Sequence, residues 1–128
     1  MYELQVEVSF DAAHCLRDYQ GACARLHGHT YRVQVTLRGP DLAPSGMLVD
    51  FRDVKRALHE IAERYDHRFL NEVPPFTDVN PTAENLARHF YDELKRALGQ
   101  AVSKVTVWES PSSCASYWED DVGQRHRT

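Results

Sequence analysis

Two long segments of strict alternation between apolar and polar side chains constrain the fold of this chain most strongly. In residues 2–10 every even-numbered residue is apolar or aromatic, and every odd-numbered residue is polar. In the second segment, residues 27–38, the odd-numbered positions from Tyr31 to Leu37 are apolar. Because successive side chains of a strand point to opposite faces, both segments predict strands of an antiparallel sheet with one solvated face.

Helical spacing of apolar residues follows the second strand. Asp50 is a good N-cap for a helix whose apolar side chains recur from Val54 to Tyr65. A second helix is predicted to start near Thr82 and to end at Gly99. Two short strands, residues 104–109 and about 114–118, close a β-β-α-α-β-β order, and the tail from residue 120 is polar. We therefore expect an α+β sandwich with both helices on one face of the sheet.

Length and charge narrow the class of protein. The 128 residues suit a single domain spanning residues 1–128. A net charge of −4 without a basic stripe argues against nucleic-acid binding, and the apolar segments are too short to cross a membrane. There is no signal-peptide pattern at the start of the chain. Three cysteines without CxxC spacing argue against a disulfide framework, so we expect a cytoplasmic protein.

Three histidines form the sharpest candidate site. His27 and His29 lie two positions apart in a predicted strand, so their side chains share a face with Tyr31. His14 has the parity of Phe10 and approaches the other two if the strands pair. Three neutral imidazoles with one open position are the ligand set of a catalytic zinc ion. The alternative is three ordinary histidines in turns or in satisfied core positions.

Cys23, four residues before His27, leaves three interpretations open. A thiol beside a divalent cation can become a thiolate base or nucleophile. It can also close the zinc site as a fourth ligand, or it can be a small buried apolar residue.

Two further features are candidates for chemistry: a pair of adjacent residues, Asp66 and His67, and the carboxylate of Glu109, which is predicted to point toward the core. Asp66 and His67 could form a relay in which the carboxylate orients the imidazole, or His67 could simply lie at a helix end. Glu109 shares the parity of Val105 and Val107, so its carboxylate either binds a ligand with adjacent N–H donors or turns to solvent. Three further histidines are predicted to be solvated surface residues: His59, His89 and His126.

Six segments, taken together, resemble the 6-pyruvoyltetrahydropterin synthase / 6-carboxytetrahydropterin synthase family. In chain order they are Phe10-Asp11-Ala12-Ala13-His14, Cys23-x3-His27-Gly28-His29, Gly46-Met47-Leu48-Val49-Asp50-Phe51, Asp66-His67-x-Phe69-Leu70-Asn71, Pro81-Thr82-Ala83-Glu84-Asn85 and Trp108-Glu109. The resemblance covers nearly the whole chain. It implies the tunnelling fold, in which each subunit supplies a four-stranded antiparallel sheet and two helices. Three subunits would close a barrel, and two trimers would stack into a homohexamer with active sites between subunits.

The resemblance also implies a zinc-dependent lyase that acts on 7,8-dihydroneopterin triphosphate. By the family pattern the zinc ligands are His14, His27 and His29. The general base is Cys23, and the relay pair is Asp66 and His67. The carboxylate of Glu109 anchors the pterin ring, and Thr82 and Glu84 flank the pocket. One branch of the family forms 6-pyruvoyltetrahydropterin. The other releases acetaldehyde and triphosphate and forms 6-carboxy-5,6,7,8-tetrahydropterin for queuosine biosynthesis.

The short spacing from Cys23 to His27 resembles the second, bacterial branch. The alternatives are the pyruvoyl product, a related tunnelling-fold cyclohydrolase or aldolase, and a non-catalytic binding module stabilised by zinc.

Overall fold

The two alternating segments form the longest strands of the structure, a computed structural model that describes residues 1–120. In chain order the elements are β1 (Tyr2–His14), β2 (His27–Gly39), α1 (Phe51–Glu63), β3 (Arg68–Phe69), α2 (Ala83–Leu98), β4 (Val102–Ser110) and β5 (Ser113–Tyr117). Short 3-10 helices occur at Ala22–Ala24 and Leu70–Glu72. The prediction for His126 lies outside the described residues, as does that for the tail beyond residue 120. Within residues 1–120, neither helix has the length and apolar character needed to cross a membrane.

The sheet contains five strands in the order β3-β1-β2-β4-β5. β1 and β2 pair antiparallel along their whole length, from Tyr2 opposite Gly39 to His14 opposite His27. β4 and β5 extend the antiparallel arrangement. The expectation of a purely antiparallel four-stranded sheet is wrong, because β3 pairs parallel with β1 through residues 12 and 13. Two residues are too short to show a hydrophobic period, so only the tertiary contact reveals this strand.

The core lies between the sheet and the two helices. Phe10 stacks on Tyr31 with ring centroids 5.2 Å apart and on Phe90 with centroids 6.0 Å apart. The apolar residues of β2 and the inner faces of α1 and α2 are fully buried. The opposite face is polar, with exposed ion pairs such as Glu7–Arg32. This division of faces is the one that the alternation predicted.

Capping residues fix the helix ends. The carboxylate of Asp50 accepts a hydrogen bond from the N–H of Arg52 at 2.9 Å, and Gly99 ends α2 with a φ of 84°. The first helix is shorter than the pattern suggested, because it ends at Glu63 and Tyr65 is buried in the following turn. Both caps agree with the sequence prediction.

His89 corrects one prediction. It lies half-buried on α2, and its Nε2 atom lies 2.6 Å from the hydroxyl of Tyr65. Burial lowers the pKa of His89 below its ordinary value. The prediction of a solvated surface histidine was therefore wrong, whereas His59 is exposed as expected.

Candidate metal centre and its surroundings

Three imidazoles converge where β1 ends and β2 begins. The antiparallel register sets His14 directly opposite His27, and His29 follows on the same face of β2. The Nε2 atom of His14 lies 2.9 Å from that of His27 and 3.2 Å from that of His29. His14 is 1% exposed, and the other two are half-buried. The structure thus brings together the three residues predicted as metal ligands, and one nitrogen of each lies within 4.8 Å of the others.

Backbone carbonyls fix the tautomers of two of these imidazoles. The Nδ1–H of His14 donates to the carbonyl of Pro81 at 2.7 Å, and that of His27 donates to the carbonyl of Arg25 at 2.7 Å. Each neutral ring then presents an unprotonated Nε2 toward the other two histidines. The hydroxyl of Tyr31 lies 3.0 Å from the same Nδ1 of His14 and is fully buried. A carbonyl behind a ligating imidazole is the usual support of a metal-bound histidine.

Electrostatics favour the neutral form of the ligands. Burial lowers the pKa of His14 and of His29. The imidazoles of His27 and His29 lower the pKa of His14 further, and that of His27 lowers the pKa of His29 further. The negative charge of Glu109 acts in the opposite direction on both pKa values. Because metals bind deprotonated imidazole, a lowered pKa keeps the ring ready for ligation near neutral pH.

The donor set fits zinc. Two lone pairs 2.9 Å apart with no proton between them repel each other, and a cation placed among the three Nε2 atoms removes that repulsion. Tetrahedral zinc with Zn–N bonds of about 2.0–2.1 Å would separate the nitrogens by about 3.3–3.4 Å. The observed separations of 2.9 and 3.2 Å are slightly shorter and need only a small outward shift.

Asp66 and His67 form a pair at the sheet edge beside β1. Their carboxylate and Nδ1 atoms lie 3.0 Å apart, with the His67 side chain 78% exposed. The N–H of Asp11 donates to Asp66 at 3.0 Å, and the carbonyl of Asp11 accepts from the His67 N–H at 2.6 Å. Thr30 in turn donates its hydroxyl hydrogen bond to the Asp11 carboxylate. These contacts hold His67 in a left-handed conformation with a φ of 57°.

An open pocket borders one residue of this pair and one residue of the histidine cluster. His67 and His29 both line a cavity of about 570 Å³ together with residues of β1 and β3. The main-chain hydrogen bond that Asp11 donates lowers the pKa of Asp66, and its contact with His67 lowers it further. A charged carboxylate therefore stands behind the imidazole, an arrangement suited to proton exchange.

Glu109 lies close enough to His14 and His29 for its charge to act on both pKa values. It is half-buried at an irregularity in the pairing of β4 with β5, between Trp108 and Ser110. With Glu84 and Cys114 it lines a second cavity of about 200 Å³. Thr82 serves a different purpose, since its hydroxyl accepts the Asn85 N–H at 3.1 Å as the N-cap of α2.

Cys23 is exposed in the short 3-10 helix between β1 and β2. The interpretation as a buried apolar residue is therefore wrong. Within the described part of the chain, its sulfur is also not among the ligand atoms that lie within 4.8 Å of one another at the histidine cluster. This position weighs against a closed four-ligand site and leaves the thiol accessible.

Three residues of the site were missed as functional candidates. The sequence pattern predicts no role for Asp11 or Thr30, and it places Tyr31 only in the core. Thr30 directly follows His29, and a polar residue beside a candidate ligand was the available signal. The support that Pro81 gives to His14 spans 67 positions, so no local pattern could indicate it.

The known proteins that are similar to this chain carry closely related names. The family model described as 6-pyruvoyl tetrahydropterin synthase matches residues 3–120. A protein of Haemophilus influenzae named 6-carboxy-5,6,7,8-tetrahydropterin synthase is 34% identical, with 93% of this chain and 100% of that protein covered. The protein of the same name from Bacillus subtilis is 36% identical over 91% of this chain and 84% of its own length.

A related name and fold recur in other organisms. The 6-pyruvoyl tetrahydrobiopterin synthase of Homo sapiens is 37% identical over 71% of this chain and 65% of its own length. The structure of 6-pyruvoyl tetrahydropterin synthase from Caenorhabditis elegans superposes with a TM-score of 0.85 at 29% identity, covering 93% of this chain and 96% of that one. Sequence and fold therefore agree over nearly all the described residues.

Proposed function

The chain belongs to the 6-pyruvoyl tetrahydropterin synthase family, and on that premise we propose that it is a zinc-dependent lyase forming 6-carboxy-5,6,7,8-tetrahydropterin. Its substrate would be 7,8-dihydroneopterin triphosphate, and acetaldehyde and triphosphate would leave. The product would serve queuosine and related deazapurine biosynthesis. The convergence of three Nε2 atoms at 2.9 and 3.2 Å is the observation that carries this proposal.

His14, His27 and His29 would hold the zinc ion in this enzyme. When bound, the ion would act as a Lewis acid that acidifies the hydroxyl and C–H groups of the substrate side chain. The carbonyl of Pro81 keeps the proton of His14 on Nδ1 and the Nε2 atom free. The three histidines would leave one coordination position for the substrate.

Cys23 would take a proton from the substrate as the general base. Its exposure and its place in the loop that leads into His27 support this role. His67 would exchange a proton on the other side of the substrate, with Asp66 at 3.0 Å orienting its ring. The cavity shared by His67 and His29 supports a substrate that reaches both groups.

Glu109 would anchor the pterin ring. A carboxylate can accept two hydrogen bonds from the adjacent N–H groups of an aminopyrimidinone. Glu84 lines the same cavity as Glu109 and would flank the ring. Thr82 would contribute through its cap at the start of α2, in addition to any contact with the substrate.

We also propose a homohexamer of two stacked trimers with active sites between subunits. Within one chain, His67 and Glu109 line two different cavities, and His29 lines only the first. A substrate bound in either cavity alone would stay exposed to solvent. A neighbouring subunit placed over the histidines would enclose it. The three free cysteines are consistent with work in a reducing cytoplasm.

The carboxy product is favoured by the relatives at 34% and 36% identity that carry that name and are covered over most of their length. The spacing of three residues between Cys23 and His27 supports the same branch by family resemblance. The pyruvoyl product is the second candidate, because the human relative carries that name at 37% identity.

Direct incubation tests the reaction. Zinc-loaded protein is mixed with 7,8-dihydroneopterin triphosphate, and the products are followed by mass analysis and by an acetaldehyde assay. We expect a 6-carboxytetrahydropterin mass together with acetaldehyde. A 6-pyruvoyl product without acetaldehyde would favour the second candidate, and no turnover at all would refute the lyase.

Substitution of Cys23 separates catalysis from a purely structural zinc module. In Cys23→Ala and in the size-matched Cys23→Ser we expect zinc content and melting temperature to stay at their original values while turnover collapses. Loss of zinc together with the fold would instead show that the sulfur is a structural ligand.

A further inference from the structure

The chain segment that leaves the metal centre is held by two asparagine side chains. Residues 15–17 follow directly after His14 and begin the long connection, residues 15–26, that carries Cys23. Asn71 and Asn80, both half-buried, approach this segment from the connection between β3 and α2.

Each asparagine pairs with both polar groups of one backbone residue. The N–H of Cys15 donates to Oδ1 of Asn71 at 3.0 Å, and Nδ2 of Asn71 donates to the carbonyl of Cys15 at 2.9 Å. Arg17 and Asn80 repeat the pattern at 2.9 and 3.0 Å. A side-chain amide has both an NH₂ donor group and a carbonyl acceptor, so each asparagine replaces the two ladder bonds of a neighbouring strand.

Asn80 and the held segment have further anchors. Nδ2 of Asn85, in the first turn of α2, donates to the carbonyl of Asn80 at 2.9 Å. The guanidinium of Arg17 donates to the carbonyl of Phe76 at 2.7 Å. The segment is therefore tied to the same connection that supplies the Pro81 carbonyl to His14.

The held segment reaches Cys23 through one further bond. Leu16 lies between the two paired residues, and its N–H donates to the carbonyl of Cys23 at 2.9 Å. The side chain of Cys23 is exposed, so packing does not fix its position. The backbone around it, including a short 3-10 helix, would otherwise sample many conformations.

From these contacts we propose that Asn71 and Asn80 are positioning residues, which fix the location of the Cys23 thiol relative to the metal centre. The proposal rests on the proposed function for the role of Cys23, although the backbone contacts stand by themselves. Misplacing a catalytic group by about 1 Å can cost about a hundredfold in rate. Loss of either amide would therefore reduce turnover without touching the substrate or the metal ligands.

The test measures loop order and catalysis separately. In Asn71→Ala and Asn80→Ala, hydrogen exchange at residues 15–26, followed by mass spectrometry, should quicken roughly tenfold to thirtyfold, as expected for two lost hydrogen bonds. The kcat should fall at least about tenfold while KM changes less than about threefold. Zinc content should stay unchanged.

Two further variants keep the test decisive. Asn71→Asp preserves side-chain size and the acceptor for Cys15 but removes the donor, so it should show the same defects even if the alanine variant folds poorly. Arg64→Ala removes a 3.0 Å contact with Glu93, between α1 and α2, and should leave both readouts unchanged.

Unaltered exchange at residues 15–26 in the asparagine variants would overturn the proposal, as would a loosened loop with undiminished kcat. If the parent protein has no turnover, the proposed function fails, and the exchange data still decide whether the asparagines hold the loop.

Discussion

Replacing His29 with alanine should have a different effect on stability with and without zinc. Nε2 of His29 lies 3.2 Å from Nε2 of His14, whose proton sits on the opposite nitrogen. The His29 ring also hydrogen-bonds the main chain of Glu109, which favours the tautomer whose Nε2 is an acceptor facing His14. Removing that acceptor relieves repulsion and offsets the loss of a half-buried ring. We therefore expect His29→Ala to change the free energy of unfolding by no more than about 1 kcal/mol without metal.

With zinc the same substitution should be costly. Free zinc at about 100 times its dissociation constant stabilises the folded protein by about 2.7 kcal/mol. For a domain of this length about 1 kcal/mol corresponds to about 3–6 °C, so zinc should raise the melting temperature by about 8–16 °C. His29→Ala should lose nearly all of this gain, because two imidazoles hold the ion far more weakly than three.

Thermal denaturation at fixed protein concentration measures both states, first with a chelator and then with excess zinc. His59→Ala is the matched control, since this histidine is exposed on α1 away from the cluster. The control should keep the full zinc-induced rise. An equal rise in His29→Ala and in the unsubstituted protein would refute a site built on the three histidines.

Three other substitutions test separate features of the structure. Thr82→Ala should lower the free energy of unfolding by about 1 kcal/mol in denaturant titrations, because it removes the cap on the Asn85 N–H, and Thr82→Ser should restore it. Equal losses in both variants would contradict a capping role. Burial lowers the pKa of His89 below its ordinary value of 6.5. As the pH falls from about 7 to about 5, His89 therefore becomes protonated more readily in the unfolded chain than in the folded protein. Stability is therefore lost over that range, and His89→Gln, which cannot titrate, should reduce the loss in urea titrations at several pH values; identical pH profiles would contradict this. Glu109→Gln should raise KM for the pterin with zinc content unchanged, and an unaltered KM in steady-state kinetics would remove the carboxylate from the binding site.

Local periodicity accounts for most of the fold that could be predicted. The alternation of β1 and β2 determined which side chains are buried, and with it the shared face of His14, His27 and His29. Asp50 and Gly99 marked helix ends because capping depends on residues within one turn. Each of these features repeats or terminates within a few positions.

Contacts between distant segments account for what was missed. The strand at Arg68–Phe69 has no period of its own and exists through its pairing with β1. Asp11 supports Asp66 from 55 positions away, and Asn71 holds Cys15 from 56 positions away. The burial of His89 against Tyr65 arises from the packing of α2 on the turn that follows α1, which a single amphipathic pattern does not specify.

The sequence by itself determined the phase of the histidines, because a strand repeats every two residues and the parity of a side chain follows from its number alone. Only the tertiary structure decided how close their nitrogens come and which carbonyl orients each ring. Those distances depend on the register between β1 and β2 and on the connection that brings Pro81 to His14. Register and chain closure are properties of the whole packed domain, since the free energy that fixes them is shared among all its contacts.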